Sequence, residues 1–393
     1  MPKNIANIEL NTDRSMEITL ERRLEKVIAV WESDSSSFKK LDSEIDIEDE
    51  MFTVLNELKS KNLWSEIERL DRALQCQPKR YKECSKYISQ TLIPLYLAED
   101  RENSKEQKSR IEDYLKPFYE YPEKSCETLF NVLDKLICYD QSSIAVDLCK
   151  KIYTKIAKSD EFFINPKVEI AEIIVWDELQ DAYIRFKKNM DVDWISYDKR
   201  FRTYEFQFTH DDFKSFEEVM RGRLDLTEMF KTFKNKIPLV LFQIKLAFCC
   251  QMYDLDETSF VTSNNFSSKV IDFLTTIPGR EKCLLHVFFK IKPDFLMPYV
   301  RKLVVGEWFD STYKQFAFLG ALPIFYLVLL KIGIIEMKTI EKIFPTVIVL
   351  KSEYEKICLD RPWTFNFIKK LSKQSSLLAQ SYQHQKSGVK WWK

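Results

Sequence analysis

The sequence predicts an all-α protein built from stacked antiparallel helix pairs, as in an α-solenoid or a repeat-like helical array. Three observations indicate this fold class. Glycine is scarce, with six in 393 residues. Apolar residues recur at the spacing of amphipathic helices along most of the chain, and the connections between these segments are short and polar. Because tight hairpins and phosphate-binding turns depend on glycine, the composition disfavours the folds that use them.

The helical array begins near residue 16. Its first apolar stripe falls at positions i, i+4, i+7, i+8 and i+11 and consists of Leu20, Leu24, Val27, Ile28 and Trp31. This spacing places the five side chains on one face of a helix. Further amphipathic segments follow at 47–58, 63–74, 81–98, 111–119, 125–138 and 142–156. Helices of this kind bury their apolar faces only against one another, so we expect them to stack.

The composition along the chain predicts five regions. They are a flexible N-terminal segment (1–15), a helical-repeat-like domain (16–190), an irregular or extended insert (191–210), a second helical region (211–310), and an apolar helix with a basic tail (311–393). The insert is predicted from the alternation of Tyr204, Phe206 and Phe208, which is typical of a short β segment.

The segment 316–335 is the most apolar part of the chain, with 16 apolar residues among 20. That length is enough to span a bilayer, and a charge near its end, Lys331, could reach the interface. A buried hairpin of a large helical protein has the same composition, so membrane anchoring and burial both stay open. The following residues, 336–393, hold 11 Lys or Arg against five Asp or Glu and include Trp363, Trp391 and Trp392.

The sequence predicts no catalytic, cofactor-binding or metal-binding residues. The three histidines, His210, His286 and His384, are far apart and lack the spacing of metal ligands. Cys283 and His286 are separated by one helical turn, as a nucleophile and its base could be, but both residue types are common in helical cores. The alternative hypothesis of an enzyme rests on Asp191, Asp193 and His210 near the irregular segment.

Other short patterns have ordinary structural explanations. Cys249 and Cys250 suit burial better than lipidation. The carboxylate groups at 48–50 and at 254 and 256 suit helix ends and N-caps. The strip 199–208 interleaves basic and aromatic residues, as single-stranded nucleic-acid surfaces do. However, 60 Lys and Arg balance 60 Asp and Glu over the chain, so nucleic-acid binding is not expected.

Cysteine usage indicates a protein that faces the cytosol. The nine cysteines include no CxxC pair, and the first 25 residues contain no apolar stretch behind basic residues. We therefore expect free thiols and no secretory signal.

One segment resembles a known family. The run YLKPFYEYPEKSCETLFNVLDKLICYDQSSIAVDLCKKIYTKI at 114–156 has an aromatic pair before Pro122-Glu123-Lys124, a leucine-rich helix with a late cysteine, and a second helix after a polar turn. It is similar to part of the tail-anchored peroxins that hold the peroxisomal AAA ATPases at the membrane. The resemblance implies a helical domain over 40–310 that binds an AAA ATPase complex, a membrane anchor at 316–335, and a peroxisomal location. This chain differs in its length, its segment 191–235 and its long basic tail.

The predicted function is that of a non-enzymatic helical adaptor or scaffold that binds protein partners. A soluble α-helical subunit of a larger intracellular complex and an enzyme with a site near 191–210 remain as alternatives.

Overall fold

The computed structural model describes residues 19–33, 46–61, 63–98, 105–120, 122, 126–156, 165–224, 237–279, 285–305 and 312–358. Within these ranges every regular element is an α-helix and no strand is present. The predicted all-α fold class is therefore confirmed. The predicted N-terminal segment 1–15 and the basic tail beyond Cys358 lie outside the described residues, as do Cys283 and His384.

The helices are α1 (Leu20–Glu32), α2 (Ile47–Ser60), α3 (Trp64–Gln75), α4 (Pro78–Ala98), α5 (Lys105–Glu120), α6 (Cys126–Cys138), α7 (Ser142–Ile152), α8 (Pro166–Lys187), α9 (Trp194–Thr203), α10 (His210–Met220), α11 (Ile237–Asp256), α12 (Phe260–Thr276), α13 (Leu285–Phe288), α14 (Pro293–Val305), α15 (Thr312–Lys331) and α16 (Met337–Cys358). The chain forms two compact units, which divide between Leu92 and Ile93.

In the first unit, the stripe predicted on α1 packs against α2 and α3. Trp31 is fully buried, and its indole Nε1 donates a hydrogen bond to the backbone carbonyl of Leu74 at 3.0 Å. On the rim of this contact, Arg23 of α1 forms ion pairs with Glu50 and Glu57 of α2, at 2.8 and 2.9 Å. The apolar spacing thus identified the buried face of α1.

In the second unit, consecutive helices pack as pairs, and α12 lies among four neighbours: α6, α8, α11 and α15. Two polar contacts fix its N-terminal end. The backbone N–H of Phe260 donates to the side-chain oxygen of Gln180 in α8 (2.7 Å), and the Thr262 hydroxyl donates to the carbonyl of Ile137 in α6 (2.9 Å). These bonds set the position of α12 against both helices.

The prediction of an extended or irregular insert at 191–210 is wrong for its larger part. Residues 194–203 form α9, whose N-cap is Asp193: its carboxylate accepts a hydrogen bond from the Ser196 backbone. Residues 204–209 are an irregular loop. The alternation arises because the loop directs Tyr204, Phe206 and Phe208 inward, and Phe208 meets Phe201 edge to face. Tertiary packing of rings produced a pattern that resembles a β segment.

The apolar segment 316–335 corresponds mostly to α15, which lies in the core. The helix packs against α6, α11, α12, α14 and α16, and the described side chains from 317 to 329 are nearly all buried. The hydroxyl of Tyr326 donates to the backbone carbonyl of Phe289 at 2.6 Å. A helix that is apolar on all faces suits such a position. Among the described residues, no helix is both long enough and apolar enough to cross a membrane.

Candidate functional site

An open groove lies between α6 and α8, with α12 at its base. Its lining comes from four helices: Phe130, Asn131, Leu133, Asp134 and Ile137 of α6, Pro166, Glu169, Glu172, Ile173 and Trp176 of α8, Val261, Asn264, Asn265, Ser268, Lys269 and Asp272 of α12, and Lys314 of α15. The cavity has a volume of about 610 Å³. Volumes of ~300–1,000 Å³ are typical of ligand sites.

The base of the groove is a polar stripe on an otherwise buried helix. Residues 261, 264, 265, 268, 269 and 272 of α12 fall at i, i+3, i+4, i+7, i+8 and i+11, which is the spacing of one helical face. Five of these six side chains are polar or charged. The opposite faces of α12 bury Phe260, Phe266, Val270, Phe273 and Leu274. The helix is therefore held by apolar contacts while its polar face borders the cavity.

At the α6 side of the groove, Asp134 is the centre of an ion-pair cluster. Its carboxylate lies 2.9 Å from the ammonium of Lys269 and 3.5 Å from that of Lys314. It also accepts a hydrogen bond from the Asn265 side chain at 2.7 Å. The side chains of Asp134 and Lys269 are only 15% and 16% exposed. Burial lowers the pKa of Lys269, but the charge of Asp134, its hydrogen bond to Lys269 and the other nearby acidic groups together leave the pKa above its ordinary value.

At the α8 side, three carboxylates lie near the ammonium group of Lys245, and one of them, Asp272, also lies near that of Lys269. The Oε1 atom of Glu172 accepts hydrogen bonds from Trp176 Nε1 and Asn264 Nδ2, both at 3.2 Å, and lies 3.6 Å from Lys245 Nζ. Glu169 and Asp272 border the same space. The pKa of Glu169 is raised by partial burial and by the charge of Glu172, and burial also raises the pKa of Asp272. This end of the groove therefore carries excess negative charge.

One buried acceptor in the groove has no partner. Asn264 is 9% exposed, and its Nδ2 atom donates to the Glu172 carboxylate. Because a carboxylate only accepts, the other side-chain atom must be the oxygen, and this Oδ1 forms no hydrogen bond. A buried acceptor without a donor costs about 1–3 kcal/mol. An N–H donor that reaches this oxygen would remove that cost.

We expect neutralisation of Glu169 to stabilise the protein at neutral pH. A carboxyl whose folded-state pKa lies above its unfolded value loses stability as pH rises through that window. Because Glu169 is exposed and solvent screens its charge, Glu169→Gln should raise the free energy of unfolding at pH 7 only slightly, by less than about 0.5 kcal/mol, and the gain should vanish near pH 4. Urea denaturation at both pH values measures it. Glu112→Gln, at an exposed position of α5, is the control. A gain that persists at pH 4 would contradict this explanation.

The structure does not bring the residues of the enzyme hypothesis together in one site. Asp193 caps α9, Asp191 is exposed, and His210 is the exposed first residue of α10. Between them lies a cluster of packed rings, in which Trp194 stacks on Phe213 with 5.0 Å between ring centroids. The described residues contain no group of three or more His, Cys, Asp or Glu side chains placed to hold a metal ion.

The basic and aromatic residues at 199–208 point in different directions on α9 and the following loop. Phe201 is fully buried. Arg200 pairs with Glu178 at 2.7 Å, and Arg202 pairs with Asp198 at the same distance. The aromatic rings therefore serve the core, and the two guanidinium groups already have carboxylate partners.

Burial is the outcome for most cysteines whose side chains are described. Cys76 is exposed, whereas Cys84, Cys138, Cys149, Cys249 and Cys250 are buried. Burial raises the pKa of Cys84 to about 12 and places the pKa of Cys249 and Cys250 well above the ordinary value. These thiols are held in the neutral form, which is a poor nucleophile.

We accordingly expect iodoacetamide at pH 8 to modify Cys76 at least about a hundredfold faster than Cys249 or Cys250. Peptide mass spectrometry at a series of times measures the rates. In urea the difference should disappear, which controls for intrinsic peptide reactivity. Rapid native labelling of Cys249 or Cys250 would show that this part of the core opens readily.

A second cavity, of about 420 Å³, lies where α8, α10 and α15 end beside α11. Its cations are Lys187, Arg221, Arg223 and Lys331. Lys187, Arg221 and Lys331 each lie at the C-terminal end of one of these helices, whereas Arg223 lies in the segment that follows α10. Positive side chains stabilise helix C-termini, and Lys187 also pairs with Asp254 at 3.1 Å. Three of the four cations thus have a structural explanation, so the larger groove on α12 is the candidate site.

The fold and the groove define an all-helical protein with an open site of mixed charge. Protein-family models, curated proteins and solved structures provide no match to the chain. None of the groove's charged residues was identified from the sequence. The available signal was the polar stripe of α12, because Asn264, Ser268 and Asp272 recur every four residues along one face of this helix.

Proposed function

We propose that this chain is a non-catalytic helical adaptor that holds a segment of a partner protein in the groove between α6 and α8. The observation that carries the proposal is the groove itself, an open cavity of about 610 Å³ with apolar walls and charged groups of both signs. Apolar walls supply binding energy, and a few placed polar groups supply orientation.

The length of the groove favours a peptide over a compact small molecule. Its lining extends from Val261 to Asp272 on α12 and from Pro166 to Trp176 on α8. At a rise of 1.5 Å per residue these stretches are about 15 Å long. An extended chain advances about 3.3 Å per residue, so the groove has room for roughly four or five residues of a partner.

The family resemblance would make that partner an AAA ATPase complex. The resembling run, 114–156, contains α6 and thus supplies one wall of the groove. If the chain is instead a subunit of a larger complex, the same groove would hold a segment of a neighbouring subunit. Membrane anchoring through 316–335 is not part of the proposal, because α15 lies in the core.

Selection of displayed random 12-residue peptides on the full-length protein tests the proposal. The enriched peptides are then measured against Ser268→Trp and Asn131→Trp, which fill the groove from its base and from the α6 wall. Ser65→Trp, at an exposed position of α3, is the matched control. We expect at least about tenfold weaker binding to both groove variants, since bulk in a binding groove removes the contacts of the ligand. Circular dichroism confirms that each variant is folded.

Two results would overturn the proposal. One is that the enriched peptides bind the groove variants and the control equally. The other is that no peptide is enriched.

A further inference from the structure

We infer that the α8 side of the groove receives a basic side chain, an arginine or a lysine, from the partner segment. This inference rests on the proposed function and specifies the chemistry of the ligand. It concerns Glu169, Glu172 and Asp272 together with the unpaired oxygen of Asn264.

Charge balance is the first observation. Three carboxylates from α8 and α12 border this end of the groove. The ammonium group of Lys245 in α11 lies near them, 3.6 Å from the carboxylate of Glu172. Lys269 is held by Asp134 at 2.9 Å on the α6 side, with Lys314 on the same carboxylate. Lys269 also lies near Asp272, so the groove as a whole has four carboxylates against three ammonium groups, an excess of one negative charge that lies towards α8. A ligand with a cation at the α8 side complements this field.

The orphaned acceptor is the second, independent observation. Asn264 Oδ1 is buried and unbonded, although the amide is held in place by its bond to Glu172. Only a donor satisfies it. A guanidinium or ammonium group carries several N–H donors and no acceptor, so it can bond to the amide oxygen and the adjacent carboxylates together.

The walls provide the third observation. Beside the carboxylates lies the half-buried apolar side chain of Ile173, whereas Trp176 and Val261 of the lining are almost fully buried. Arginine and lysine have long hydrocarbon stems that pack along apolar surfaces while the charged end makes polar contacts. An apolar residue next to the basic one would then contact the half-buried Phe130 on the opposite wall.

The test uses the peptide acetyl-Leu-Arg-Leu-amide and its citrulline counterpart, which has nearly the same shape but no charge. The indole N–H signal of Trp176, assigned by its loss in Trp176→Phe, reports binding in NMR spectra because this group bonds to Glu172. We expect a saturable shift with the arginine peptide and at least about tenfold weaker binding of the citrulline peptide.

Variants of the protein give the complementary measurement. Glu169→Gln combined with Asp272→Asn should weaken the binding of the arginine peptide at least about tenfold. Asp177→Asn is the matched control, because it removes a carboxylate of α8 that pairs with Lys150 and does not border the groove. It should leave the affinity unchanged.

Equal binding of the two peptides, or full affinity in the double variant, would overturn the inference. So would a titration in which calcium chloride produces the same indole shift at lower concentration than the peptide, since the site would then serve a metal ion. Suppose that neither peptide shifts the indole signal, but the displayed peptides still bind Ser268→Trp more weakly than the unmodified protein. The adaptor proposal then stands, and the inference of a basic side chain is wrong. If displayed peptides also ignore Ser268→Trp, both are wrong.

Discussion

Asp134→Asn is expected to lower the free energy of unfolding of the second unit by about 2–4 kcal/mol. The substitution keeps the shape of the side chain but removes its charge. Lys269, which is 16% exposed, then keeps a mostly buried ammonium group without its anion. Hydrogen exchange of α12 peptides at increasing urea concentration measures the effect in this unit of the full chain.

A double-mutant cycle separates the ion pair from the general effect of mutation. Lys269→Met should also destabilise, whereas Asp134→Asn with Lys269→Met should lose less than the sum of the two, because neither charge is left alone. Asp177→Asn is the control: its pair with Lys150 has the same 2.9 Å separation, but both side chains are 38% exposed. We expect a change within about 0.5 kcal/mol there. Similar losses of unfolding free energy for Asp134→Asn and Asp177→Asn would contradict the explanation that burial makes the Asp134–Lys269 pair important.

The pH dependence of this cluster has a definite sign. Burial lowers the pKa of Lys269, but the charge and hydrogen bond of Asp134, with other nearby acidic groups, raise its folded-state pKa above its ordinary unfolded value. Its stabilisation is therefore fully present below that unfolded value and is lost as pH rises through the raised pKa.

Leu322→Ala is expected to destabilise the second unit by about 2–5 kcal/mol, because it removes a fully buried side chain from the centre of α15. The neighbouring helices close such a cavity only in part. The same hydrogen-exchange measurement detects the change in peptides of α12 and α15.

Ile348→Ala in α16 is the matched control for Leu322→Ala. Ile348 is 68% exposed, so its truncation should alter the unfolding free energy by less than about 0.5 kcal/mol. An equally small effect of Leu322→Ala would mean that α15 is not a core helix. This pair of variants thus decides between the two interpretations that the apolar composition of 316–335 left open.

The local pattern of the chain was enough to predict the helical class. The stripe of α1 shows why: side chains three and four residues apart share a face, so burial of Leu24, Val27, Ile28 and Trp31 follows from their spacing. The same reasoning failed at 194–203. There the aromatic alternation of the following loop was taken for a β segment, although Asp193 provides a helix N-cap at the start of α9.

The groove could not be predicted from sequence patterns, because the residues that pair with one another in it are distant along the chain. Asp134 and Lys269 are separated by 135 positions, and Glu172 and Asn264 by 92. Neither pair has a sequence spacing that indicates a contact. Isolated charged residues such as those of α6 and α8 are also typical of solvent-exposed helix faces. Only the packing of α12 against both helices brings them together.

The amino-acid sequence by itself determined the helical class and the buried faces of the amphipathic helices, since both depend on residues within a few turns of one another. The tertiary structure decided where the apolar segment 316–335 lies and which polar residues meet. An apolar helix is compatible with lipid or with protein, and its neighbours settle which surrounds it. Likewise, the polar stripe of α12 became the base of a groove because apolar contacts on its other faces and hydrogen bonds at its N-terminal end hold it against α6 and α8.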